Sequence, residues 1–210
     1  MDRRRFLTTG ALGGGTLVGT ATAPTALAAE GIGPDRRPPD FQLNYAPSPG
    51  QFEAHAGPAL PDQIAFAGEQ GFPAFEDNTL RDRSVDTQRR MGEALRTHEM
   101  QMGVFVAHTI HWQEPTLTTG EPEPRRQFLD EIRASVEIAQ RVDATWMTVV
   151  PGARDPRLDT GYQTAHLVET LREAARILEP HDLVMMLEPL NNRRDHPNQY
   201  LTHTAQAYQI

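Results

Sequence analysis

The chain has 210 residues, a formal net charge of -8 and no cysteine, and all twenty of its basic residues are arginine. The absent residue types exclude disulfides, thiolate nucleophiles, Schiff-base lysines and Walker-type phosphate loops. Because binding a polyanion requires clustered positive charge, the acidic balance also disfavours a nucleic-acid partner. A functional site in this chain must therefore use carboxylate, histidine, hydroxyl or backbone groups.

The first 28 residues resemble an export signal of the twin-arginine type. Paired arginines precede Phe6, a Gly-, Ala- and Thr-rich stretch follows, and the small residues of 26–28 suit a cleavage site. We therefore predict a signal peptide over 1–28, a flexible linker over 29–40 and a folded domain over 41–210. The mature protein is expected in the periplasm or outside the cell, with the export signal as its contact with the membrane.

Five short apolar runs alternate with helical patterns in the rest of the chain. The runs are "FQLNY" from Phe41, "PAFE" from Pro73, "MGVFVAH" from Met102, "TWMTVV" from Thr145 and "LVMMLE" from Leu183. Regular alternation predicts parallel strands joined by right-handed crossovers, as in an open α/β sheet or a (β/α) barrel. Runs that are apolar throughout, such as "VMML", are typical of strands covered on both faces.

The clearest helices are predicted in the last two connections between these runs. In "PEPRRQFLDEIRASVEIAQRV", apolar residues recur at three- and four-residue steps, at Leu129, Ile132, Val136 and Ala139. The pattern repeats in "GYQTAHLVETLREAARILEP", at Val168, Leu171, Ala175 and Leu178. That helix should end before Pro180, whose ring disfavours helical geometry in the residue ahead of it. Fainter patterns predict helices starting near Pro61 and Ser84.

The last segment, "YLTHTAQAYQI", predicts a helix with Leu201, Ala205 and Tyr208 on one face and no stop signal after it. A complete eight-unit barrel needs about 250 residues. We therefore expect a C-terminally truncated barrel of about five βα units. Such a chain should be inactive or severely impaired, and its open sheet edges should favour self-association.

Polar residues close most of the predicted strands. In parallel α/β folds the carboxyl ends of the strands form the active face. The polar residues at these ends are Asn44, Glu76, His108 and Glu188. A single such residue is usually a solvated rim residue, but several at one edge indicate a site.

Four segments together carry a family resemblance: "FQLNY", "AFAGEQGFPAFE", "LEPLN" and "HPNQYLTHTAQAYQI". They resemble the hydroxypyruvate isomerase-like branch of the xylose isomerase-like TIM barrels over residues 41–210. The resemblance implies a (β/α)8 TIM barrel that acts on small hydroxy-carbonyl compounds or sugars. It also implies a divalent metal held by carboxylates and a histidine, with Mg or Mn favoured over Zn where the ligands are oxygens.

The resemblance also assigns roles to single residues. It implies that Glu188 is catalytic and binds the metal. Candidate substrate-binding residues are Glu76, His108, Asn44 and His196, with a structural role left open for Glu76. The epimerases of this superfamily usually carry a second glutamate six residues after the first. That position is Arg194 here, which disfavours a ketose 3-epimerase.

The implied reaction explains why carboxylates are needed. Isomerisation removes a proton next to a carbonyl and returns it one carbon over, through an enediolate whose charge must be stabilised. A divalent ion polarises the carbonyl while a carboxylate moves the proton.

The neighbouring residues His111 and Trp112 follow the third apolar run. They are equally well interpreted as a substrate wall or as packing residues.

Two other functions fit the same scaffold. One is a phosphodiesterase like the AP endonucleases of the superfamily, which bind several metals through many histidines. The acidic charge and the absence of a histidine at the end of the fourth strand disfavour it. The other is a non-catalytic exported binding module of the same fold.

Overall fold

The computed structural model describes residues 41–210. The predicted signal peptide and linker lie outside the described residues. The helices are α1 (Glu53–Ala56), α2 (Leu60–Glu69), α3 (Val85–Thr97), α4 (Pro122–Val142), α5 (Thr160–Leu178) and α6 (Thr204–Gln209). The strands are β1 (Ala74–Phe75), β2 (Gln101–Met102), β3 (Trp146–Val149) and β4 (Val184–Leu187).

The strands form a continuous parallel arrangement. β1 pairs with β2 and β3 with β4, both in parallel. Parallel bridges from Met102 to Ala144 and from Val106 to Thr148 join the two pairs. A helix lies in each connection between successive strands, namely α3, α4 and α5. The succession β1-β2-β3-β4 with helical crossovers is part of a TIM barrel, and the predicted fold class, an incomplete barrel, is confirmed.

The first apolar run, Phe41–Tyr45, forms no strand, so the prediction of a strand there is wrong. A hydrogen bond of 3.0 Å from the Glu76 amide to the Pro47 carbonyl ties this segment to the end of β1. Phe41 instead packs on Phe72, with ring centroids 4.8 Å apart. Only the Phe41 ring of this run is partly buried, whereas Leu43 and Tyr45 are 63% and 50% exposed, so the run lacks the burial that a central strand would have.

The helix predictions are largely confirmed. α4 spans the predicted segment, with a proline in its first turn, and ends at Val142, because the next residue, Asp143, has a φ of 55° that stops the helix. α5 ends at Leu178, before Pro180, as predicted. Of its four predicted inward positions, Leu171 and Leu178 are buried, whereas Leu167 and Ala174 are fully buried in place of the predicted Val168 and Ala175.

The final helix is shorter than predicted. α6 covers Thr204–Gln209, so Leu201 precedes it and shares no helical face with Tyr208. Leu201 is buried, whereas Tyr208 is 93% exposed. The Tyr208 ring therefore has no packing partner within residues 41–210.

The core lies between the helices and one face of the sheet. Its fully buried side chains include Ile64, Met91, Ile132, Leu167, Phe75 and Met147. The other face carries Trp146 beside Val184 and Thr148 beside Met186. Val184 and Met186 are about half exposed, at 45% and 47%, so the prediction that "VMML" is covered on both faces is wrong for the described residues. Within residues 41–210 no helix is long and apolar enough to cross a membrane.

Candidate active site at the strand ends

Two glutamates lie at the carboxyl edge of the sheet. Glu76 directly follows β1, and Glu188 directly follows β4, where its amide donates to the Val149 carbonyl at 3.2 Å. Burial raises the pKa of the Glu76 carboxyl, and the negative charge of Glu188 raises it further. Glu188 itself is exposed. These two predicted site residues therefore close strands at the same edge of the sheet, with β2 and β3 between them.

His108 lies at the end of the chain segment that continues β2, with its imidazole buried. Its Nε2 accepts a hydrogen bond from the Val150 amide at 3.2 Å, so Nδ1 carries the proton and donates to the Thr109 carbonyl at 2.9 Å. Burial is the main cause that lowers the pKa of His108 to about 4. The neutral ring therefore joins the segment after β2 to Val150, the residue that follows β3. The substrate contact predicted for His108 requires one of these hydrogen bonds to break.

Asn44 is the predicted site residue that the fold does not place at a strand end. It lies on the irregular segment before Pro47, and its side chain is exposed. Its prediction relied on a strand over Phe41–Tyr45, and that strand does not form. Among the described residues no hydrogen bond connects Asn44 to Glu76 or Glu188.

Two acids that the sequence did not mark hold the strand ends in place. Glu131, on α4, accepts from the Thr109 amide at 2.8 Å and from the Thr109 hydroxyl at 2.7 Å, and pairs with Arg81 at 3.4 Å. Burial opposes ionisation of Glu131, but the hydrogen bonds and Arg81 outweigh it and lower its pKa. Asp77, next to Glu76 and buried, accepts from Arg83 at 3.0 Å. The contacts of Glu131 connect residues distant in sequence, and no local pattern predicts them, whereas Asp77 and Arg83 are six residues apart.

The loops after β2 and β4 are clamped together by Trp112 and His196. The two rings stack with centroids 4.8 Å apart and planes 18° apart. Nε2 of Gln199 donates to the Trp112 carbonyl at 3.0 Å. Gln199 is buried, and its Oε1 has no hydrogen-bond partner among residues 41–210. The structure thus brings the predicted His196 onto Trp112, and Gln199 fixes the backbone of the same tryptophan.

The loop after β3 lies beneath this clamp. Ala153 pairs with Gln199 in an antiparallel bridge, and the Tyr200 amide donates to the Gly152 carbonyl at 2.9 Å. Gly152 has a φ of 87°, and a Cβ there would lie 3.3 Å from the His111 carbonyl oxygen. Glycine is therefore required at this position by both backbone conformation and close approach. The predicted strand-end pair Pro151-Gly152 is a packing element.

A cavity of about 370 Å³ opens between the loops that follow β1 and β2. Its lining includes Asn78, Arg81 and Asp82 from the first loop and Val106, His108 and Trp112 from the second. Asn78 and Asp82 are exposed. The cavity is next to Glu76 in the chain and has one aromatic wall.

The model of the xylose isomerase-like TIM barrel family matches residues 64–209. This match covers more than half of the chain and includes β1 to β4. The chain belongs to the xylose isomerase-like TIM barrel family. No curated protein matches the sequence.

Solved structures of similar fold carry several different activities. AP endonuclease family 2 from Brucella melitensis is 22% identical with a TM-score of 0.60, over 71% of this chain and 56% of its own. The 3-keto-D-glucoside 4-epimerase YcjR of E. coli is 17% identical with a TM-score of 0.60, over 80% of this chain and 63% of its own. At these identities the likeness shows the fold alone. The chain spans about 56–63% of the length of these two structures.

The family resemblance implies a divalent metal, and the described side chains show whether enough ligands are present to hold one. An IOLI protein solved with a bound zinc atom is 17% identical with a TM-score of 0.56, over 71% of this chain and 51% of its own. Within residues 41–210 no group of three or more His, Asp or Glu side chains could hold a metal. Glu188 and Glu76 offer carboxylate oxygens, and both nitrogens of His108 are engaged. The described residues of this family member therefore do not complete a divalent-metal site.

Proposed function

We propose that the chain carries the proton-transfer part of an isomerase site for a sugar or small hydroxy-carbonyl compound, in the manner of the hydroxypyruvate isomerase-like branch. The supporting observation is the coupled pair Glu76 and Glu188 at the carboxyl edge of the sheet. Two carboxyl groups in different environments are suited to different protonation states, as acid–base chemistry requires.

The two acids have different tasks in this proposal. Glu188, which is exposed, takes a proton from the carbon next to the substrate carbonyl and returns it to the adjacent carbon. Glu76, whose carboxyl pKa is raised by burial and by the charge of Glu188, carries the hydroxyl proton from one substrate oxygen to the other as the carbonyl moves to the adjacent carbon. The proton lost from one carbon is regained at the next, so the reaction needs no oxidant or reductant.

The predicted Mg or Mn ion needs oxygen ligands beyond Glu76 and Glu188, since these two do not fill the coordination shell of such an ion. No step of the proposal is therefore assigned to a metal. The small-molecule partner is proposed to be a sugar or hydroxy-carbonyl compound. The E. coli epimerase of similar fold is named for a sugar derivative, a 3-keto-D-glucoside.

The test follows proton exchange, because loss of a carbon-bound proton reports directly on the step assigned to Glu188. The 210-residue chain is incubated with D-fructose or hydroxypyruvate in D₂O, and loss of carbon-bound protons is followed by NMR. We expect exchange that Glu188→Gln abolishes. Glu93→Gln is the control and should leave the rate unchanged. Glu93 is an exposed glutamate on α3, the helix that precedes β2.

Three results would contradict the proposal. They are no exchange by the unaltered chain, equal exchange by Glu188→Gln, and binding of sugar without any exchange. The last result would favour the non-catalytic module. Nicking of DNA with an abasic site in the presence of zinc would favour the phosphodiesterase, which the acidic net charge of -8 disfavours.

A further inference from the structure

We propose that Gly103 is a positioning residue for Glu76, because its lack of a side chain opens the gap in which the base of the glutamate side chain is held. In the proposed function, on which this inference rests, Glu76 carries a proton between two substrate oxygens. Gly103 directly follows β2. The parallel register of β1 and β2, continued by one residue, sets it beside Glu76.

The backbone of Gly103 approaches Glu76 more closely than a regular sheet requires. A Cβ at Gly103 would lie 3.2 Å from the Cβ of Glu76. Neighbouring strands in a regular sheet are about 4.8 Å apart. Even a methyl group at Gly103 would therefore push its neighbour aside by a few tenths of an ångström.

Backbone conformation does not explain the glycine. Where glycine is required for its conformation, its φ is positive, as at Gly152 with a φ of 87°. Gly103 is not among the positive-φ glycines of residues 41–210. The close approach to Glu76 is therefore what restricts this position to a small residue.

Hydrogen bonds on both sides fix the backbone around Glu76. The Gly103 amide donates to the Phe75 carbonyl at 2.8 Å. The Asp77 amide donates to the Val104 carbonyl at 3.3 Å, and the amide of Glu76 itself donates to a carbonyl of the segment before α1 at 3.0 Å. Because the backbone is held from both directions, a substitution at Gly103 must be absorbed by the Glu76 side chain.

The gap has little room on its other sides. An added Cβ would lie 3.4 Å from the Phe75 carbonyl oxygen and 3.5 Å from the Ala46 Cβ. Neither atom is the end of a flexible side chain. Glu76 is only partly buried, so its side chain has free space toward solvent. Since burial is the larger cause that raises the pKa of Glu76, displacement toward solvent should lower this pKa.

Proton transfer is sensitive to displacements of this size. A misplacement of about 1 Å can cost about 100-fold in rate, so a shift of a few tenths of an ångström should cost about three- to tenfold. Gly103 has no group that could move a proton itself. It acts on the reaction only through the place it leaves for Glu76.

The test compares two glycine variants of the 210-residue chain by carbon-detected NMR titration of Glu76. Gly103→Ala should lower the pKa of the Glu76 carboxyl toward its ordinary value. Gly68→Ala is the matched control, because a Cβ there would lie 2.9 Å from the His98 Cβ. That contact joins the connections that precede β1 and β2, so the control adds crowding without touching Glu76. It should leave the pKa unchanged.

A double variant tests the gap itself. Ala46→Gly removes the Cβ that lies 3.5 Å from the added methyl group, so it makes room in the gap. Combined with Gly103→Ala, it should restore part of the lost pKa elevation of Glu76, since neighbouring substitutions are coupled. A merely structural role for Gly103 would leave the Glu76 pKa the same in the single and the double variant.

The outcomes separate this inference from the proposed function. Gly103→Ala should slow proton exchange with D-fructose about three- to tenfold, and Gly68→Ala should not. A lowered Glu76 pKa without any exchange by the unaltered chain supports the placement of Glu76 and contradicts the proposed chemistry. A Glu76 pKa that Gly103→Ala leaves unchanged or raises, an equal fall in Gly68→Ala, or exchange that Gly103→Ala does not slow overturns the positioning role.

Discussion

The first and last strands of the sheet, β1 and β4, are both paired in parallel but differ in burial. Both residues of β1 are buried, and the loops that follow β1 and β2 are held by charged and hydrogen-bonded anchors. β4 pairs with β3 over four residues, yet none of its side chains is fully buried. Strand pairing and burial are therefore independent properties in this molecule.

The contrast extends to the two glutamates that close these strands. Glu76, at the end of the buried strand β1, has a raised pKa, and Glu188, at the end of β4, is exposed. The two glutamates thus lie at the same edge of the sheet but differ in how far water reaches their carboxyl groups. Such a difference is what an acid–base pair needs, because one group must hold a proton while the other accepts one.

The largest expected effect comes from truncating one methionine in each pair. Met102→Ala, in β2, removes a side chain that is 2% exposed and should cost about 2–5 kcal/mol of unfolding free energy. Met186→Ala, in β4, removes one that is 47% exposed and should cost no more than about 0.5 kcal/mol. Urea unfolding measures both. Equal costs would mean that the exposed face of β4 is covered in solution.

His108 should make stability depend on pH. Its folded pKa of about 4 lies below the ordinary value of about 6.5, so the folded state binds fewer protons between these values. Stability from this group is complete above about pH 6.5 and is lost as the pH falls to about 4, by about 3 kcal/mol. Gln has a donor and an acceptor but does not titrate. The variant His108→Gln should therefore lack the loss of stability that protonation of His108 causes at low pH. Chemical unfolding of both proteins between pH 4 and 7 would show parallel curves if His108 were solvated.

The anchor on α4 offers a matched pair of substitutions. Glu131→Ala removes two hydrogen bonds from Thr109 and the ion pair with Arg81, so it should cost about 1.5–3 kcal/mol. Glu137→Ala, on the same helix, removes a solvent-exposed pair with Arg141 and should cost about 0.3–0.5 kcal/mol. Thermal unfolding compares them. Similar midpoints would show that the contacts of Glu131 with Thr109 do not stabilise the fold.

The smallest expected effect is on the Glu76 carboxyl. Glu188→Gln removes a negative charge that raises the pKa of Glu76, so this pKa should fall but stay above its ordinary value, because burial is the larger cause. Folded Glu76 binds more protons than the unfolded residue, so its stability contribution is lost as pH rises through the raised pKa. In Glu188→Gln, the pH range over which Glu76 loses its stability contribution should therefore be narrower and end at a lower pH. Carbon-detected NMR titration, with Glu93→Gln as control, measures the shift, and an unchanged pKa would contradict the coupling.

The sequence predicted the positions of Glu76 and Glu188 better than the contacts around them. Glu76 and Glu188 follow apolar runs that do form strands, so their position at one edge of the sheet was predictable. Asn44 was misplaced because its run lacks the burial of a central strand. Glu131 could not be identified, since it meets Thr109 across 22 residues of sequence through the docking of α4.

Local rules of the chain determined the alternation of strands and helices, the limits of α4 and the end of α5 before Pro180. Helical period and proline geometry act over a few residues, and they are visible in any sequence. Tertiary structure alone decided that Phe41–Tyr45 is not a strand, that both nitrogens of His108 bond to the backbone, and that His196 lies on Trp112. These outcomes depend on contacts between segments far apart in the chain, which the register of the sheet and the docking of its loops set.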